Sequence, residues 1–145
     1  MKTRFAPMII VGMLLASLML DSPAQSGERP ESSPQIPVTA RAVWIAIDQQ
    51  TAGLSEAIRT GAFGEVDHRA YAIRDLAAAL QARSGSLSSR KLAEIKRYLP
   101  FVATLARRLD ASGDAKDRAG KESNFRKLRR ILSLMRGVYP ADAAP

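Results

Sequence analysis

The sequence predicts an all-α chain: an up-down-up-down four-helix bundle preceded by a signal peptide and a disordered, proline-rich tether. Two observations carry the bundle. From Ala40 onward, apolar residues recur every three or four positions in four separate stretches, and nowhere do they alternate with the period of two that a half-buried strand requires. The breaks between stretches are about two to five residues long, and links that short make sequential helices antiparallel neighbours. A third observation sets the start of the folded region: a short apolar run near the N-terminus is followed by thirteen residues rich in proline and polar side chains.

Residues 1–26 read as a signal peptide. Lys2 and Arg4 precede an apolar run from Met8 to Leu20, and Asp21, Ser22, Pro23, Ala24, Gln25 and Ser26 follow. A spanning helix needs about 20 apolar residues, whereas a basic start, a short apolar core and small residues at the cut fit a secretory signal. Ala24 and Ser26 suit a cut after Ser26, and a cut after Ala24 is also readable; the alternative is an uncleaved N-terminal anchor. Export implies a periplasmic or secreted protein with no stable membrane span after cleavage. Residues 27–39, with three prolines, read as a disordered linker.

The bundle is expected over 40–140, with 141–145 a disordered tail. Val43, Trp44, Ile47, Gln50, Thr51, Leu54 and Ile58 line one face of a first helix, roughly 41–60, that ends at a left-handed Gly61. Val66, Ala70, Ile73, Ala77 and Leu80 line a second, roughly 65–83, stopping near Gly85. Leu92, Ile95, Leu99, Val102, Ala106 and Leu109 form the seam of a third; Ser88 is its N-cap, and Leu87 can staple onto Leu92. Pro100 removes an amide donor and is expected to kink this helix or break it in two. Asp110 to Asp114 reads as a tight connection, and Asp114 and Asp117 lie where negative charge favours the start of a helix. Phe125, Leu128, Leu132, Met135 and Tyr139 give the fourth seam, stopped by Pro140.

Two segments, Glu65 to Leu80 and Leu105 to Gly120 with the following Asn124 and Phe125, resemble small exported bacterial four-helix-bundle proteins. Some of these are shaped like soluble periplasmic four-helix cytochromes, and others accompany heavy-metal efflux systems. The resemblance covers roughly residues 41–139. It implies a periplasmic bundle in a metal-efflux setting and assigns no site residues; an envelope-stress setting is the alternative.

Composition restricts the chemistry. The 145 residues include no cysteine and one histidine, which removes disulfides, thiolate metal sites, cysteine nucleophiles and zinc sites built from several imidazoles. Once residues 1–26 are removed, Met135 is the one methionine left. His68 and Met135 are therefore the candidates for the alternative reading, a metal- or haem-binding bundle. With Val66 at the centre of the second helix's buried face, however, His68 points about 200° away at 100° per residue. Glu65 and His68 have the Glu-x-x-His spacing of a di-iron bundle, but a second histidine does not exist. Asp110, Ser112, Asp114 and Asp117 imitate a calcium loop whose glycine comes too early and whose bidentate position holds Lys121. No serine lies in a Gly-x-Ser-x-Gly turn. The reading is a non-enzyme without a cofactor.

Charge points to a partner. The formal charge is +8 and is unevenly placed: residues 40–82 carry four basic and five acidic side chains, whereas residues 83–136 carry fifteen and five. Arg90, Arg97 and Arg108 lie outward on the third helix with Phe101 among them, and Arg126, Lys127 and Arg130 lie outward on the fourth. Such a face attracts an anionic envelope component or an acidic protein, with an affinity that salt weakens. Export and the lack of any recognised motif argue against nucleic acid.

Overall fold

The structure, a computed structural model, describes residues 35–144. The expected signal and the first part of the tether lie outside the described residues. Within them the chain forms four α-helices and no strand: α1 (Ala40–Thr60), α2 (Val66–Arg83), α3 (Ser89–Asp114) and α4 (Arg118–Arg136), with one 3₁₀ turn (Phe63–Glu65) ahead of α2. No helix among the described residues is long and apolar enough to cross a membrane. Each helix packs along its successor, and α1 meets α4 along a thinner seam.

Cross-helix hydrogen bonds fix the helix directions. Arg83 at the end of α2 donates to the Pro37 carbonyl ahead of α1 (3.3 Å), and the Tyr71 hydroxyl near the start of α2 donates to Asp110 near the end of α3 (2.7 Å). Asn124 early in α4 reaches the Ser112 hydroxyl late in α3 (3.3 Å), and Arg118 donates to the carbonyl of Arg59 at the far end of α1 (3.5 Å). Neighbours in sequence, and α1 with α4, are thus antiparallel.

Local chemistry sets most helix ends where expected. Thr39 accepts the Ala42 amide at the start of α1, and Gly61 closes it at φ 79°, a left-handed conformation that a Cβ would strain. Ser88 accepts the Lys91 amide for α3, and Asp117 accepts the Gly120 amide for α4 at 2.9 Å. Asp114, the other candidate, is instead the last residue of α3.

The α3–α4 corner corrects the expected connection. Residues 110–114 are helical, and the chain turns at 115–117. The Lys116 amide bonds back to the Gly113 carbonyl (2.9 Å) and that of Asp117 to the Ser112 carbonyl (3.0 Å), the paired bonds of a Schellman closure. The left-handed position in that closure, usually glycine, is Lys116 at φ 52°. Gly113, expected in the connection, is therefore the last residue but one of the helix.

Pro100 does not divide α3, which runs unbroken from Ser89 to Asp114. Pro100 is exposed, so water can meet the Lys96 carbonyl that loses its helical donor. α4 stops earlier than expected, at Gly137. Tyr139 is buried as anticipated, but it stands in the turn that follows the helix. Residues 141–144 are not a loose tail: Arg41 donates to the Asp142 carbonyl (3.4 Å) and Ala144 is buried.

The core is continuous across all four helices. Val43, Trp44, Ile47, Leu54 and Ile58 from α1 meet Val66, Ile73, Leu76 and Leu80 from α2, Ile95, Val102 and Leu109 from α3, and Phe125, Leu128, Leu132 and Met135 from α4. Each fully buried large side chain contributes about 1.5–3 kcal/mol, the main stabilising term in a chain without disulfides. Ala70 and Ala77 are fully buried on α2, the helix flanked by α1 and α3, and their small size admits both neighbours. Leu92 and Leu99 are only half-buried. At 100° per residue they lie roughly 60–80° from the centre of the stripe made by Ile95, Val102, Leu105, Ala106 and Leu109. Leu99 instead lines a depression of about 410 Å³ between α2 and α3, with Pro100 and Ala103.

Candidate anion-binding surface

The basic residues singled out on α3 form one straight stripe. Arg90, Arg97, Phe101 and Arg108 are separated by seven, four and seven positions, which keeps them within about 20° of a common line at 100° per residue. All four are exposed, Phe101 to 57%. Arg126, Lys127 and Arg130 are likewise exposed on α4.

The bonds of Asn124 to the Arg108 carbonyl and the Ser112 hydroxyl set the register between α3 and α4. Counting antiparallel from those two bonds, Phe101 stands level with the stretch from Ile131 to Met135, which includes Leu134. Leu134, 47% exposed, was missed in the sequence. Phe101 and Leu134 are thus exposed apolar side chains at similar heights on α3 and α4, on helices that also carry the six exposed cations.

None of the six cations has an ion-pair partner among the described residues. The ion pairs present join Arg59 to Glu56, Arg69 to Glu65, Arg74 to Asp75 and Arg136 to Asp48, each with a carboxylate of α1, of α2 or of the turn between them. The two acidic groups nearest the stripe in sequence, Glu94 and Glu122, are exposed and pair with none of the six.

His68 is exposed at the start of α2, and Met135 is fully buried near the end of α4. The start of α2 lies beside the end of α3 through Tyr71 and Asp110, and the end of α3 lies beside Asn124. Met135 then lies eleven positions beyond Asn124 along α4, roughly 16 Å at 1.5 Å per residue. The two candidate ligands therefore occupy opposite ends of the bundle. Among the described residues no three His, Asp or Glu side chains gather as a metal site. Two of the three acidic residues of the loop that imitates a calcium site are committed elsewhere: Asp110 accepts the Tyr71 hydroxyl and Asp117 caps α4. That bond to Asp110 also pushes the Tyr71 pKa above its ordinary value.

Lys121 was read only as an obstacle to calcium. It is fully buried, and its Nζ has no hydrogen-bond partner. Nζ lies 3.1 Å from the centroid of the Phe63 ring in the 3₁₀ turn. A desolvated ammonium costs several kcal/mol, and a buried cation–π contact returns about 2, so a net penalty remains. Burial accordingly lowers the Lys121 pKa from 10.5, with Asp117 opposing the shift.

The sign follows from proton counting. Between the lowered native pKa and the unfolded value, the unfolded state binds more protons, so stability rises with pH through that window. The penalty is fully present below it. Lys121→Met is expected to raise stability by about 2 kcal/mol at neutral pH and to abolish the rise toward pH 10.5. Urea denaturation at two pH values checks this; a variant no more stable than the parent would contradict the balance of terms.

Comparison with known proteins finds no matching family model, no matching curated protein and no matching solved structure.

Proposed function

We propose that the protein is a non-enzymatic, exported accessory protein of the cell envelope that binds an anionic partner through the α3–α4 face. The observation that carries this reading is the set of six exposed cations on α3 and α4 that have no ion-pair partner among the described residues, on the two helices that also expose Phe101 and Leu134. A basic surface that neutralised itself would serve solubility alone. This one leaves its field directed outward, where it draws acidic surfaces and quickens their encounter.

The exposed Phe101 and Leu134 favour a lipid surface over an acidic protein domain. A membrane offers anionic headgroups at the rim and acyl chains beneath, and each Lys or Arg near such a surface contributes about 1 kcal/mol. Phe101 and Leu134 can then enter the boundary layer, as on other peripheral helices.

The test is co-sedimentation of the full chain, freed of any leader, with vesicles of phosphatidylcholine alone or mixed with phosphatidylglycerol. Binding is expected only to the anionic vesicles and is expected to fall steeply as salt shortens the screening length. Equal binding to both vesicles, or none to either, would defeat the lipid reading. Capture by an acidic protein instead would reassign the partner.

A further inference from the structure

A second basic feature lies on the other flank of α4. Where α1 and α4 meet, a groove of about 240 Å³ is walled by Asp48 and Thr51 from α1 and by Arg129, Ser133 and Arg136 from α4, with Ile47 and Leu132 as its floor. Arg136 is held in place twice: it donates to Asp48 at 2.6 Å and lies 4.7 Å from the centroid of the buried Trp44 ring. Arg129 has no carboxylate partner among the described residues, and its guanidinium rests 5.9 Å from the Phe125 ring. The Thr51 hydroxyl oxygen is buried with no hydrogen-bond partner. A hydroxyl left unbonded beside a groove walled by two guanidinium groups is costly, and rotation of the Thr51 side chain would let it donate to an acceptor seated there.

We infer that the α1–α4 groove binds a phosphomonoester group, either the terminal phosphate of a lipid headgroup or inorganic phosphate. Asp48, Arg129 and Arg136 together carry one net positive charge, and Arg136 at 2.6 Å offsets the repulsion Asp48 would exert on an anion. The donors come from two facing helices, Thr51 on one side and Ser133 with the two arginines on the other. A tetrahedral phosphate can present oxygens to both sides at once, whereas a planar carboxylate offers two in one plane. Arginine's fork of N–H groups matches phosphate oxygens well. Arg126 and Arg130, close by on the outer ridge of α4, raise the local potential further. This site deepens the anionic-partner reading and rests on it for the lipid source alone.

The test uses Trp44, the single tryptophan, as a reporter directly beneath Arg136. Inorganic phosphate is titrated into the chain at constant ionic strength. A saturable change in Trp44 fluorescence is expected, weakened at least about tenfold in Arg129→Gln/Thr51→Val, the loss of a charged hydrogen bond. The Arg90→Glu/Arg97→Glu/Arg108→Glu variant, altered only on the α3 stripe, is expected to keep the phosphate response while losing vesicle affinity. If free phosphate gives no response, tighter binding to vesicles containing phosphatidic acid than to phosphatidylglycerol vesicles of matched charge, erased by the groove variant, supports the lipid source. Absence of both responses, or their persistence in the groove variant, overturns the inference. Should Thr51→Val disturb folding, Arg129→Gln alone carries the comparison, since that side chain is exposed.

Discussion

Reversing Arg97, Arg108, Arg126 and Arg130 to glutamate together is expected to leave the helical circular dichroism unchanged and to lower affinity for phosphatidylglycerol vesicles by roughly a thousandfold. The size is set by about 1 kcal/mol for each cation near an anionic surface, so four losses amount to about 4 kcal/mol before the repulsion of the four new carboxylates is added. The fold should tolerate the change, because all four side chains are exposed and none holds an ion pair among the described residues. Removing them breaks nothing inside the bundle and lessens the mutual repulsion of a basic half. A variant that keeps both its helical signal and its vesicle affinity would eliminate the α3–α4 face as the binding surface.

Trp44→Ala is expected to cost about 3–5 kcal/mol, the range for truncating a large buried aromatic. Trp44 is fully buried and meets the Tyr139 ring edge-on at 5.5 Å and 84°. Tyr139 in turn shares a 2.6 Å hydrogen bond with buried Ser84, whose hydroxyl also reaches the Leu80 carbonyl. One side chain therefore joins the start of α1 to the segment after α4 and, through it, to the end of α2. For a domain whose whole stability is about 5–15 kcal/mol, the loss would lower the melting temperature by roughly 15 to 30 °C. Trp44→Phe should retain most of the packing. A thermal melt of Trp44→Ala close to that of the parent would mean that the seam contributes little.

The helices were legible because burial follows a simple period. Every residue assigned to the inner face of α2 is buried, as are Phe125, Leu128, Leu132 and Met135 on α4. Where the reading slipped, a polar or small side chain hid the pattern. Lys121 precedes Phe125 by four positions and so continues the seam of α4, yet its charge directed attention to a metal loop. Gly113 looked like a terminator, but the left-handed bend that ends α3 is made by Lys116, whose φ no composition rule would expect.

The α3 stripe was visible as a spacing of seven, four and seven. Leu134 follows from the same rule, about 140° from the centre of the α4 seam at 100° per residue, but attention to charge passed over it. The α1–α4 groove was invisible for a different reason: Thr51 and Arg129 are far apart in sequence, and only the closing of the bundle sets them opposite one another.

The thinness of the α1–α4 seam has a consequence for how the chain assembles and breathes. Each of the other three interfaces joins consecutive helices, so most of the packing can accrue hairpin by hairpin, at the low contact order that favours rapid folding. The last joint to shut brings together helices from opposite ends of the domain and should be the first to reopen in native-state hydrogen exchange. Anything seated between them would act as a clasp on a book whose spine is α2 and α3.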